Sequence, residues 1–188
     1  MLRRLELRLE YSEKTVGKQY STAMGGGVSK LRAGDTCEKV SLAREALEIE
    51  KIVYAPLIKT HHAEDFTGSI KLAMGFVKTF FDQITFHMKH LQEKLAELSL
   101  VVKPDLIIMD ARKVFVIGGP AKGTLREPNL ILASGDQVAI DVEGVKILQS
   151  YLGNSLEGRN VWSLRQIKHS IEPGLGPCND NEYEVRIS

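Results

Sequence analysis

An α/β fold, a single domain with a mixed, mostly parallel sheet flanked by helices, is what this amino-acid sequence predicts. Three observations carry that expectation. Short apolar runs recur at residues 51–58, 106–109, 114–117 and 129–134, as in strands buried on both faces. Longer stretches with apolar residues at steps of three and four lie among them, the period of an amphipathic helix. The two kinds of segment alternate along the chain instead of being segregated.

The chain opens on Leu5-Glu-Leu-Arg-Leu-Glu-Tyr11, whose alternation of apolar and charged residues suits a half-exposed strand. A polar stretch with Gly25-Gly26-Gly27 follows, so residues 1–45 read as a strand plus glycine-bearing loops ahead of an α/β domain at 46–188. In the run from Lys51 to Ile58, Pro56 disfavours an uninterrupted central strand. Phe66, Ile70, Met74, Val77, Phe81 and Ile84 then predict a helix starting near Asp65 as N-cap. Gly68 and Gly75 weaken it in isolation and imply that its backbone packs closely on a neighbour. Met88, Leu91, Leu95 and Leu98 mark a second amphipathic stretch, broken by Pro104.

Strands at 106–109 and 114–117 come next, the second closed by Gly118-Gly119-Pro120 and a turn-rich loop through Gly123. After a third strand at 129–134, a helix from about Gln137 presents Val138, Val142, Val145, Leu148 and Leu152 on its inner face and stops at Gly153-Asn154. Trp162 to Ile171 reads as a short helix, and Glu184-Val-Arg-Ile187 as a closing edge strand.

Composition excludes several functions. With 43% hydrophobic and 26% charged residues the chain is ordinary globular material, not a disordered segment. A formal charge of +1 argues against a nucleic-acid binder. No apolar run reaches the roughly 18–20 residues of a membrane span, and the opening decapeptide interleaves charges where a secretory signal needs an apolar block. A cytoplasmic protein without a membrane or nucleic-acid partner is expected. Cys37 and Cys178, far apart and outside any CxxC pair, read as two free thiols, so no iron–sulfur cluster is expected from this chain alone.

Ligands of open α/β sheets gather at strand carboxyl ends beside helix N-termini. Three such ends here carry polar groups: Lys59, His61 and His62 after Ile58; Asp110 after Met109; Ser134 and Asp136 after Ala133, with Asp141 one turn on. Asp136 suits helix capping better than ligation, whereas Asp141 flanks a buried face and needs a cation, a metal or backbone donors. His61 and His62 are adjacent rather than spaced for a helical metal pair, so one of them reads as a surface-loop residue. His87 and His90 share a predicted helix face and could ligate together; His169 stands alone. The segment from Gly118 to Thr124 has Lys122 before Gly123, the wrong order for a phosphate-binding P-loop, and is read as a turn.

These motifs have an order that resembles a family, the domain of unknown function 362. The set is Pro56-Leu-Ile-Lys59-Thr-His61, Phe66-Thr-Gly68, Ile70-Lys71, Gly75, Pro104-Asp-Leu-Ile-Ile-Met-Asp110, Gly119-Pro120, Gly123, Asn129 through Asp136-Gln-Val-Ala-Ile-Asp141, and Gly174-Leu-Gly176. The likeness runs from about Ile49 to Gly176 and implies a shortened member, without the usual N-terminal half or the ferredoxin-like segment that gives relatives their redox descriptions. Within it, Lys59, His61 and Asp141 are the catalytic candidates, and Lys71, Gly119, Gly123 and Asp110 the ligand-binding ones. His61, Asp136 and Asp141 are candidate ligands for a divalent metal such as Mg, Mn, Zn or Fe. Two functions follow: a metal-dependent enzyme-like domain with a small anionic ligand, or a non-catalytic subunit or interaction module of a redox or cofactor-handling assembly, whose polar rim meets a protein partner or a second copy.

Overall fold

Backbone pairing brings the first strand, β1 (Arg3–Arg8), beside the last, β11 (Glu184–Ile187), in one sheet. The computed structural model of the chain describes residues 3–8, 29–33, 37–43, 45–77 and 90–187. Between those two strands the elements are β2 (Ser29–Ala33), β3 (Cys37–Leu42), α1 (Glu45–Glu48), β4 (Val53–Tyr54), β5 (Lys59–His61), β6 (Asp65–Thr67) and α2 (Ser69–Leu72). There follow α3 (Leu91–Val101), β7 (Leu106–Ala111), β8 (Val114–Gly118), β9 (Gly123–Arg126), β10 (Leu130–Ser134), α4 (Gln137–Gln149) and α5 (Arg165–Ile171).

The principal sheet runs β11-β1-β10-β7-β4. It is mixed, but the expectation that it is mostly parallel is corrected. β1 pairs with β10 and β4 with β7 in parallel, whereas β1–β11 and β10–β7 are antiparallel. The pairs β2–β3, β5–β6 and β8–β9 are antiparallel too. The reason lies between β7 and β10: that connection contains the β8–β9 hairpin and no crossover helix, so the chain returns in the opposite direction.

α4 seals one face of this sheet. Its Val138, Val142, Val145 and Leu148 have no exposed surface, each burial contributing roughly 1.5–3 kcal/mol. At Gly144 the helix approaches so closely that a Cβ would lie 2.9 Å from both Ile58 Cδ1 and Met109 Sδ. Leu152, expected on the same stripe, falls beyond the end of α4 and is 92% exposed. The opposite face, on which register places Val53, Leu57, Leu106 and Ile108, leaves these side chains 40–59% exposed. Among the described residues, then, helices pack on one face of the sheet, not two.

The helix expected from Asp65 is also corrected. Asp65 adopts φ +65° and opens β6, in which Phe66 is buried opposite Thr60. Among the described residues the helical segment is α2 with a 3-10 turn at Ala73–Phe76, while Phe81 and Ile84 lie outside the described residues. A strand residue followed by a short helix satisfies the same three-and-four spacing. α3 forms as expected with Leu91, Leu95 and Leu98 buried. His90 precedes it in the left-handed conformation at φ +55°, and His87 lies outside the described residues.

Candidate site at the β5–β6 hairpin

The β5–β6 hairpin leans against β8 and the turn that follows it. Thr60, fully buried, donates through Oγ1 to the Phe115 carbonyl at 3.0 Å. Gly119 has φ +83°, and a Cβ there would overlap the Thr60 carbonyl, so only glycine allows this contact. Gly123, at the start of β9, is confined in the same way by the Ile117 carbonyl and, at 3.1 Å, by Phe115. These two glycines bring the turn within reach of the hairpin's polar side chains. Lys59 Nζ donates to the Pro120 carbonyl at 3.0 Å, and His62 Nδ1 meets the Gly119 carbonyl at 2.8 Å.

His61 stacks on His62 with ring centroids 5.0 Å apart. The Ala63 amide donates to its Nδ1 at 3.2 Å. Beneath the rings, Lys71 of α2 forms an ion pair with Glu64, both side chains nearly buried. Burial lowers the His61 pKa; the Lys71 ammonium lowers it further, Glu64 opposes, and His62 and Lys59 add to the lowering. The net effect favours the neutral imidazole. Asp65, the register partner of His61 across the hairpin, is held by Arg159 through a two-point ion pair.

The two carboxylates of α4 serve the helices. Asp136 caps α4, its Oδ1 accepting from the Ala139 amide at 2.7 Å. Asp141 has no exposed surface and accepts from the Ser69 and Ile70 amides at 2.6 and 3.0 Å, capping α2 from another element. Burial pushes Asp136 up to about 6 and Asp141 up to about 7, against the opposing pull of those amide donors. Each carboxylate has a glycine that makes room for it. A Cβ at Gly68 would collide with the Asp141 carboxylate, and one at Gly176 would sit 2.7 Å from Asp136 Oδ1.

The structure thus gathers Lys59, His61, Lys71 and Gly119 at one rim and sets Asp141 behind α2. Asp110 lies beside Leu57 and Ile58, but its carboxylate is taken up by Arg112, accepting from its amide at 2.8 Å and its Nη2 at 2.7 Å, which keeps its pKa low. Among the described residues, no three His, Cys, Asp or Glu side chains converge so as to hold a metal ion. Sequence reasoning had no role for Glu64 and treated one of the two histidines as a loop residue. The signal for both was the polar density of Lys59-Thr-His-His-Ala-Glu64 itself.

Residues 10–146 match the family described as Domain of unknown function (DUF362). The chain belongs to this family. The match begins inside the segment that the sequence reading set apart from the DUF362 likeness, and it stops short of Gly176. β1, ahead of the matched residues, pairs with β10 inside the principal sheet. The chain is also similar to the thylakoid-associated protein sll1697 of Synechocystis sp., 29% identical over 127 residues, which is 61% of this chain and 37% of that protein. The chain therefore spans little more than a third of the relative it matches. No solved structure matches it. Among the described residues no helix is long and apolar enough to cross a membrane.

Proposed function

We propose that this DUF362 chain binds a small anion at the rim made by Lys59, His61 and His62. One observation carries the reading. Lys59 is a cation with no carboxylate partner among the described residues, set beside two imidazoles, while the nearby Glu64 is already neutralised by Lys71. A rim of that kind has one positive charge and a ring N–H donor to offer an oxyanion. In this reading Lys59 and His61 are binding groups, and Asp136 and Asp141 hold the helices that support the hairpin. Calorimetric titration with inorganic phosphate tests it. Lys59→Ala is expected to weaken binding about ten- to hundredfold, a charged hydrogen bond being worth about 1.5–3 kcal/mol. Affinity unchanged by that substitution, or no binding by the parent chain, would refute the reading.

A second reading, an interaction module that docks a protein partner or a second copy, draws on the sheet face that no helix covers among the described residues. Val53, Leu57, Leu106 and Ile108 are a cluster of large exposed apolar side chains. Sedimentation over a concentration series separates self-association from its absence.

A further inference from the structure

His61 and His62 lie with their ring planes 12° from parallel, yet their Nδ1 atoms face opposite kinds of partner. An amide N–H only donates, so His61 Nδ1 accepts from Ala63 and the proton of the neutral ring sits on Nε2. A carbonyl only accepts, so His62 Nδ1 donates to Gly119, and in the neutral ring Nε2 keeps its lone pair. Neither Nε2 has a partner among the described residues. The stacked pair therefore offers one donor and one acceptor, while Lys59 Nζ is held at the Pro120 carbonyl, beside the Gly119 carbonyl that His62 meets.

We propose that the rim selects a protonated oxyanion, hydrogen phosphate, over an oxyanion of equal charge that lacks an O–H. This rests on the anion-binding reading above. Lys59 supplies the charge, His61 Nε2–H donates to one phosphate oxygen, and His62 Nε2 accepts the phosphate O–H. Hydrogen bonds of about 2.8 Å from rings whose centroids are 5.0 Å apart can converge on one tetrahedral ion. Sulfate meets the same Lys59 and His61, but turns a bare oxygen toward the His62 lone pair. Discrimination then comes from that repulsion as much as from the bond that hydrogen phosphate makes.

The test is a pair of calorimetric titrations of the whole chain at about pH 8, where both probes are dianions. The probes are inorganic phosphate and sulfate, repeated on His62→Asn, whose side-chain amide can keep the bond to the Gly119 carbonyl while removing the Nε2 acceptor. The proposal predicts that phosphate binds at least about tenfold more tightly than sulfate, and that His62→Asn brings phosphate down to the sulfate level. Equal affinities in the parent chain would overturn the selectivity and leave the anion reading standing. A preference that survives in His62→Asn would overturn the role of His62. Binding of neither anion would overturn the anion reading and the inference with it. Should His62→Asn fail to fold, the parent titrations alone decide between preference and equality.

Discussion

Substituting Gly68→Ala places a methyl group against the Asp141 carboxylate. The carboxylate must then move, and its bonds from the Ser69 and Ile70 amides, at 2.6 and 3.0 Å, lengthen or break. Overpacking costs about 1–3 kcal/mol, and a buried amide left without an acceptor about 1–3 kcal/mol more. A total near 3 kcal/mol would lower the melting temperature by roughly 6–12 °C in a chain of this size. Asp141→Ala alone is less informative. It loses both amide bonds, but it also relieves the burial penalty that pushes the carboxyl up to about 7. The decisive quantity is the coupling in the double-mutant cycle, read by denaturant unfolding. With Asp141 gone, Gly68→Ala is expected to cost about 1 kcal/mol or less, giving a coupling near 2 kcal/mol. Additivity to within about 0.5 kcal/mol would refute the account of Gly68 as the space for Asp141.

Three further outcomes are expected. Because Asp141 titrates at about 7 and Asp136 at about 6 in the folded chain, both above the ordinary carboxyl value, the native state holds their protons more tightly than the unfolded state does. That stabilisation is complete at low pH and is lost as pH rises through about 6 and 7, so unfolding free energy should fall by a few kcal/mol between about pH 5 and 8. His61, with a lowered pKa, contributes a smaller term of opposite sign, and Asp141→Asn should flatten the profile. Lys71→Ala leaves Glu64 charged and buried, and should cost about 3–5 kcal/mol in denaturant unfolding. Tyr183→Phe removes the hydroxyl that donates to Glu143 at 2.5 Å beside Lys146 and Asp180. It should cost about 1–2 kcal/mol in the same assay, because that cluster holds the turn before β11 to α4.

What was legible in the sequence was what depends on neighbours along the chain. The apolar runs at 106–109, 114–117 and 129–134 became β7, β8 and β10, and Asp136 capped α4 three residues before the amide that it accepts from. Strand direction was not legible, because an apolar run looks the same whether its partner is parallel or antiparallel. The partners of Asp141 lie about 70 residues upstream, so the sequence showed a buried carboxylate in need of donors without showing which ones. Asp65 was misread because its left-handed backbone and its tie to Arg159 come from tertiary contacts. Likewise the tautomer of His62 is set by Gly119, 57 residues away. The DUF362 motif therefore mixes two kinds of position. Gly68, Asp136 and Asp141 fit the helix ends together, whereas Lys59, His61 and His62 form a polar rim around the buried Thr60.

The most direct test of that division is a residue-resolved NMR titration of the chain with inorganic phosphate. Shifts should concentrate at Lys59, His61, His62 and the Gly119 turn, with the Asp136 and Asp141 amides little changed. Shifts centred on the start of α4, or none at saturating phosphate, would contradict the account.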